Sequence, residues 1–174
     1  MEVYYYLTIL MICLFIFVQD FKFRAVYWWL FPLLFLVLGL LTYDRTGPDQ
    51  VTANLFANIG FVFLQIVLLS IYFSVKDRRL VNIFAHHFGV GDLLFLLSVT
   101  VYFSLFNYII FYVTSLVMVI VFTLILNQLV KKTNPKIPLA GEQALLLVLF
   151  MAIDWLNSSI NFSADLWVVN YFNV

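Results

Sequence analysis

The fold is decided by residues 93–130, LLFLLSVTVYFSLFNYIIFYVTSLVMVIVFTLILNQLV, a run of 38 residues without a charged side chain. As a single helix this run would be about 57 Å long, whereas the hydrocarbon core of a bilayer is roughly 30 Å thick. A helical hairpin near Asn107 resolves the excess length, although no glycine or proline marks the turn. The run therefore predicts two consecutive membrane-spanning helices, 93–106 and 108–130.

The composition of the whole chain points the same way. Of its 174 residues, 65% are hydrophobic and 10% are charged, whereas soluble domains are about half apolar and about a quarter charged. We therefore predict an all-α polytopic membrane protein with six transmembrane helices in contact with the lipid bilayer. The other four predicted spans are 3–19, 26–42, 52–75 and 140–157.

Two regions follow from this division. We expect residues 1–162 to form one six-helix membrane core. Residues 163–174 are too short to span a bilayer, and their tryptophan and tyrosine are typical of an interfacial C-terminal tail. Cys13 is the only cysteine, which excludes a disulfide framework and favours a role in packing.

The basic residues fall on one side of the predicted membrane. If the loop at 19–24 is cytoplasmic, the alternation of spans makes 76–92 and 131–138 cytoplasmic too. These loops hold eight of the nine basic residues and leave only Arg45 outside: Lys22, Arg24, Lys76, Arg78, Arg79, Lys131, Lys132 and Lys136. Short loops rich in Lys and Arg stay in the cytoplasm. Because the basic residues are scattered and the net charge is zero, no nucleic-acid partner is expected.

Two aspartates lie on the predicted cytoplasmic side, Asp20 after the first span and Asp92 before the fourth. A carboxylate at the end of a membrane helix is costly unless it is paired or hydrated, and it is therefore a candidate functional group. Two such groups close together would share one proton, one acting as base and the other as acid. Each has a simpler reading: Asp92 as a helix N-cap and Asp20 as an interfacial charge. Acid–base chemistry of this kind needs no metal and no cofactor.

The glycines beside Asp92 complete a short motif, GVGD, at 89–92. Glycine permits close approach of a neighbouring chain, so we expect Gly89 and Gly91 to admit an extended substrate. His86 and His87 precede them and are further candidates for substrate contact. A metal site is not expected, because no cysteine or carboxylate lies at metal-ligand spacing from these histidines.

GVGD at the start of a span resembles the second active-site motif of the type IV prepilin peptidases and archaeal preflagellin peptidases, which are membrane aspartyl proteases of the GxGD class. In that family the first aspartate follows the first span of the peptidase core, and QDFKFRAVYWWLFP (19–32) is similar in placement. KIPLA (136–140) is similar to the stretch that precedes the last span of the family.

The resemblance implies a membrane aspartyl endopeptidase with Asp20 and Asp92 as its catalytic pair. The implied substrate is the short basic leader of a pilin-like precursor, cleaved at the cytoplasmic face of a prokaryotic inner membrane. The chain departs from the family at Val26 and Tyr27, where the family has Ile-Pro, and at Leu94, where a lysine is common. It also lacks the N-methyltransferase region with its paired cysteines, so it resembles a divergent, minimal member.

Three alternatives stay open. A non-catalytic membrane assembly protein on the same fold would tolerate replacement of either aspartate. A presenilin-like intramembrane protease would pair Asp44, in the sequence Tyr43-Asp44, with Asp92, although the predicted topology puts Asp44 on the opposite side. A small transporter would use Asp20 and Asp92 in a proton relay, but the second, fourth and fifth spans contain few polar residues. The sequence does not indicate the oligomeric state.

Overall fold

The structure, a computed structural model, describes residues 2–78, 89–129, 139–157 and 160–165, without the side chains of residues 123 and 126–129. These residues form six helices and no strand, which confirms the all-α prediction. The helices are α1 (Glu2–Phe23), α2 (Leu30–Thr46), α3 (Pro48–Asp77), α4 (Val90–Val99), α5 (Leu105–Leu129) and α6 (Leu139–Leu156).

Four of these helices, α1, α3, α5 and α6, are long and apolar enough to cross a membrane. With 17 and 10 residues, α2 and α4 are shorter than the roughly 20 residues of a typical span. The described residues therefore contain four candidate spans, against the six predicted. Only 11% of the most apolar window of α3 is buried in the protein, so its apolar surface faces outward, as in a helix surrounded by lipid.

The helix ends follow from local backbone chemistry. At the end of α1, Arg24 takes a left-handed conformation (φ 53°) and its N–H bonds to the carbonyl of Asp20 at 3.0 Å. Between α2 and α3, Gly47 has φ 86°, a conformation that favours glycine. Pro48 then begins α3, where its missing N–H would have had no partner within the helix. The chain reverses direction at both links.

The link between α4 and α5 lies at residues 100–104, so the predicted turn near Asn107 was misplaced. The Nδ2 of Asn58, on α3, donates to the carbonyls of Thr100 and Phe103 at 2.8 and 2.7 Å. Asn107 instead lies in the first turn of α5 and donates to the carbonyl of Phe162 at 3.1 Å. A side chain from a distant helix holds this turn, which explains why no local turn residue marks it.

The last helix is central to the bundle. α6 packs against α1, α4 and α5, and α2 packs against α1 and α4. We call the end of the bundle that bears Asp20, Asp92 and Glu142 the carboxylate end, and the opposite end, which bears Arg45 and Asp154, the arginine end. The two ends are joined by an apolar core that includes Ile16, Leu34, Phe95, Tyr108 and Leu147.

The segment after α6 closes the arginine end. Ser163 is fully buried, and its carbonyl accepts a hydrogen bond from Asn54 on α3 at 3.0 Å. The start of the predicted interfacial tail therefore belongs to the packed bundle. Residues 166–174, the remainder of that tail, lie outside the described residues.

Candidate active site

Asp20 lies in the last turn of α1, partly buried at the carboxylate end. Its Oδ2 accepts a hydrogen bond from the backbone N–H of Gly141, in the first turn of α6, at 2.7 Å. The first N–H groups of a helix have no partner within that helix and carry partial positive charge. Asp20 therefore satisfies the start of α6 from a different helix, across 121 positions of sequence.

The absence of a side chain at Gly141 lets α1 and α6 approach this closely. A Cβ at this position would lie 3.2 Å from the Cβ of Asp20 and 3.5 Å from the Cα of Phe17. The first distance is short for carbon atoms, which pack at roughly 3.5–4.0 Å, and the second lies at the lower limit of that range. Gly141 was not singled out in the sequence, although it lies next to the KIPLA stretch.

Asp92 lies in the first turn of α4. Its carboxylate interacts with the backbone N–H groups of Gly89, on its own turn, and of Ala140, at the start of α6. It lies directly over Gly89: a Cβ added there would overlap its Oδ2 and lie 3.1 Å from its Cγ. The contact with Gly89 is the one expected of a helix cap. The contact with Ala140 joins Asp92 to a second helix, α6.

The two predicted catalytic aspartates are brought together. Their carboxylates are bound by the N–H groups of Ala140 and Gly141, which are neighbours in sequence, and the charge of Asp20 acts directly on Asp92. Arg24 adds a positive charge near Asp20. Three helices thus converge on one pair of carboxyl groups, with the amino-terminal end of α6 between them.

A third acid completes the carboxylate end. Glu142 follows Gly141 on α6, its side chain is buried with 3% exposed, and its charge interacts with that of Asp20. Neither of its carboxylate oxygens has a hydrogen-bond partner among the described residues. The sequence reasoning missed Glu142, although an acid inside a predicted membrane span is a signal that could have identified it.

The other predicted site residues are placed differently. Gly91 contacts the ring of Phe31 at an ordinary 4.0 Å, and His86 and His87 lie outside the described residues. Asp44 lies near the arginine end, where its Oδ2 accepts a hydrogen bond from Tyr5 at 2.9 Å. Asp44 and Asp92, the pair of the alternative hypothesis, therefore lie at opposite ends of the bundle.

The arginine end holds a second buried acid, Asp154. Asp154 is 4% exposed, and one of its oxygens accepts hydrogen bonds from Tyr6 (2.7 Å), Tyr102 (2.8 Å) and Arg45 (2.5 Å). Arg45 also pairs with Glu2 at 3.1 Å. This network joins α1, α2 and α6 to the turn after α4. Asp154 is partnered in it, unlike Glu142 at the carboxylate end, which has no hydrogen-bond partner among the described residues.

The arrangement at the carboxylate end suits proton transfer. Two carboxyl groups whose charges interact favour different protonation states, so that one can accept a proton while the other donates one. Within the described residues, no group of three His, Cys, Asp or Glu side chains is arranged to hold a metal ion.

Comparison of the chain with protein-family models, curated proteins and solved structures gives no significant match. The resemblance to the prepilin peptidases therefore rests on the GVGD motif and the other short stretches of sequence quoted above.

Proposed function

We propose that this protein is a membrane aspartyl endopeptidase in which Asp20 and Asp92 are the catalytic residues. The observation that carries the proposal is the convergence of these two carboxyl groups, from α1 and α4, on neighbouring N–H groups of α6. The sequence resemblance singled out the same two residues, without any knowledge of their contacts. If Asp92 were only a helix cap and Asp20 only an interfacial charge, there would be no reason for the two carboxyl groups to converge.

The chemistry follows from a shared proton. The ionised aspartate takes a proton from a water molecule, which attacks the peptide carbonyl carbon, while the protonated aspartate donates to the carbonyl oxygen. Collapse of the tetrahedral intermediate breaks the C–N bond, and a proton passes to the leaving amine. The helix N–H groups that bind both carboxylates hold them in position throughout the reaction.

The substrate part of the proposal comes from the GVGD resemblance and from charge. We place cleavage at the short basic leader of a pilin-like precursor, at the cytoplasmic face of a prokaryotic inner membrane. The acids of the carboxylate end favour a cationic partner. The predicted position of eight of the nine basic residues favours a cytoplasmic location for this end.

The test is cleavage of candidate pilin-like precursors by the purified full chain in lipid nanodiscs. Asp20→Asn and Asp92→Asn are each expected to lower kcat/KM by about 10²–10⁴-fold, because each removes one half of the acid–base pair. Asp49→Asn is the matched control, since Asp49 is exposed in the first turn of α3, away from the carboxylate end. Full cleavage by a folded Asp92→Asn protein would refute the peptidase and favour a non-catalytic assembly role.

A further inference from the structure

Glu142 is an exception among the buried acids of this protein. Asp154, near the other end of the same helix, accepts hydrogen bonds from an arginine and two tyrosines. Glu142 is equally buried, yet neither of its oxygens has a partner among the described residues. Buried polar groups are nearly always hydrogen-bonded, so an unpartnered carboxylate needs an explanation.

Stability does not explain it. Among the described residues, the ionisable group whose charge acts on Glu142 is Asp20, another acid, so this neighbour adds repulsion to the cost of removing a carboxylate from water. Replacing Glu142 with an apolar residue would remove both costs. Groups that break the rules of packing in this way are expected at functional sites.

The chemistry of the group limits what it binds. An ionised carboxylate only accepts hydrogen bonds, so its ligand must be a donor and is best a cation. The acids of the described residues are not arranged for a metal ion. A lysine or arginine side chain fits better, because its long apolar stem can lie along an apolar surface while its charged group reaches a carboxylate.

The position of Glu142 connects this ligand to the reaction. Glu142 is next in sequence to Gly141, whose N–H holds Asp20. A cation bound by Glu142 would therefore lie beside the aspartate pair, within the span of a peptide bound there. A neutral side chain at the same point of the substrate would leave the carboxylate unpaired.

We propose that Glu142 is a specificity-determining residue that binds the ammonium or guanidinium group of a basic substrate residue close to the scissile bond. This inference rests on the proposed peptidase function for its substrate, and it assigns to a single residue the preference for a basic leader. Asp20 and Asp92 carry out the reaction, and Glu142 selects the chain on which it occurs.

The test compares two fluorescent leader peptides that differ only in a lysine replaced by glutamine. Binding to the full chain in phosphatidylcholine nanodiscs is measured by fluorescence anisotropy in an Asp92→Asn background, so that cleavage does not interfere. With Glu142 present, we expect the lysine peptide to bind at least about tenfold more tightly. Glu142→Gln is expected to abolish most of that difference, and Glu142→Asp, which keeps the charge, is expected to retain part of it.

The matched control is Glu2→Gln, an exposed acid at the arginine end, which should leave the preference for the lysine peptide unchanged. A Glu142→Gln protein that still prefers the lysine peptide would overturn the inference. So would equal binding of the two peptides when Glu142 is present. Neither outcome depends on whether the unsubstituted protein cleaves precursors, because that question is decided separately by the nanodisc cleavage assay.

Discussion

At residue 89 the missing side chain matters more than the backbone freedom of glycine. Gly89 has φ −73° and ψ 129°, a conformation that any residue adopts, but a Cβ there would overlap the carboxylate of Asp92. The sequence predicted that Gly89 and Gly91 make room for a substrate. The structure shows that Gly89 makes room for the carboxylate of Asp92 itself.

Gly89→Ala is therefore expected to lower kcat/KM for precursor cleavage by about tenfold or more, since small misplacements of reacting groups are costly. Its thermal unfolding should change little, because the displaced atoms are the end of a short side chain. Both are measured on the same nanodisc preparation.

Gly91→Ala serves as the matched control, because its Cβ meets only an ordinary contact with Phe31. It leaves the carboxylate of Asp92 in place, so it should retain a higher kcat/KM than Gly89→Ala and stabilise α4 by about 0.5–1 kcal/mol. Equal activity of the two alanine variants would contradict the role given to Gly89.

The sequence identified Asp20 and Asp92 because each lies where an apolar segment begins or ends. It did not identify Glu142 or Asp154, although both are acids within the last apolar segment. What separates these two residues is their partners: Asp154 has an arginine and two tyrosines, whereas Glu142 has none among the described residues. Those partners come from distant parts of the chain, so sequence position alone does not assign one acid to a structural network and the other to a site.

At the scale of helices, the contact between α1 and α6 sets the geometry of the site. Gly141→Ala would place a Cβ 3.2 Å from the Cβ of Asp20 and 3.5 Å from the backbone of Phe17. The Cβ of Asp20 is fixed to the backbone of α1 and cannot move aside by a rotamer change, so we expect the two helices to move slightly apart. The expected result is a fall in kcat/KM of roughly 10- to 100-fold, measured by the precursor assay.

Gly60→Ala is the control for this change, because Gly60 is in the interior of α3 and a Cβ added to it would have no neighbouring atom within 4 Å. It should be neutral or slightly stabilising, by up to about 1 kcal/mol. If Gly141→Ala were as active as Gly60→Ala, close approach of α1 and α6 would not be needed for the reaction.

The order of the helices could be predicted from hydropathy, but the position of the turn between α4 and α5 could not. Hydropathy places apolar segments well because the residues of a span are predominantly apolar. The turn at 100–104 is held by Asn58, which lies 42 and 45 residues before the two carbonyls to which it donates. An asparagine inside an apolar segment is a visible signal, but its partner is not visible in the sequence.

At the scale of the whole molecule, the two ends of the bundle differ in how their charges are arranged. The arginine end forms a closed network in which Arg45 joins Glu2 and Asp154, which ties α1, α2 and α6 together. The carboxylate end concentrates three acids, Asp20, Asp92 and Glu142. A fully partnered end is suited to holding the helices in register, and an end with excess acid is suited to binding a cation and moving a proton.

This polarity gives a test of membrane sidedness that uses one helix. Asp49 and Lys76 are exposed near opposite ends of α3, whose 30 residues make it about 45 Å long, more than the roughly 30 Å hydrocarbon core. Cysteines placed singly at these positions should react with a membrane-impermeant reagent from opposite sides, residue 76 from the cytoplasm. Cys13 is buried and should contribute little background.

A cysteine at Ile59 provides the internal control, because Ile59 is exposed in the middle of α3 and would face lipid. It should resist the reagent from both sides until detergent is added. Labelling of positions 49 and 76 from the same side would show that α3 does not cross the bilayer. Labelling of residue 76 from outside would place the Asp20–Asp92 site on the outer face, where it would not meet a precursor leader in the cytoplasm.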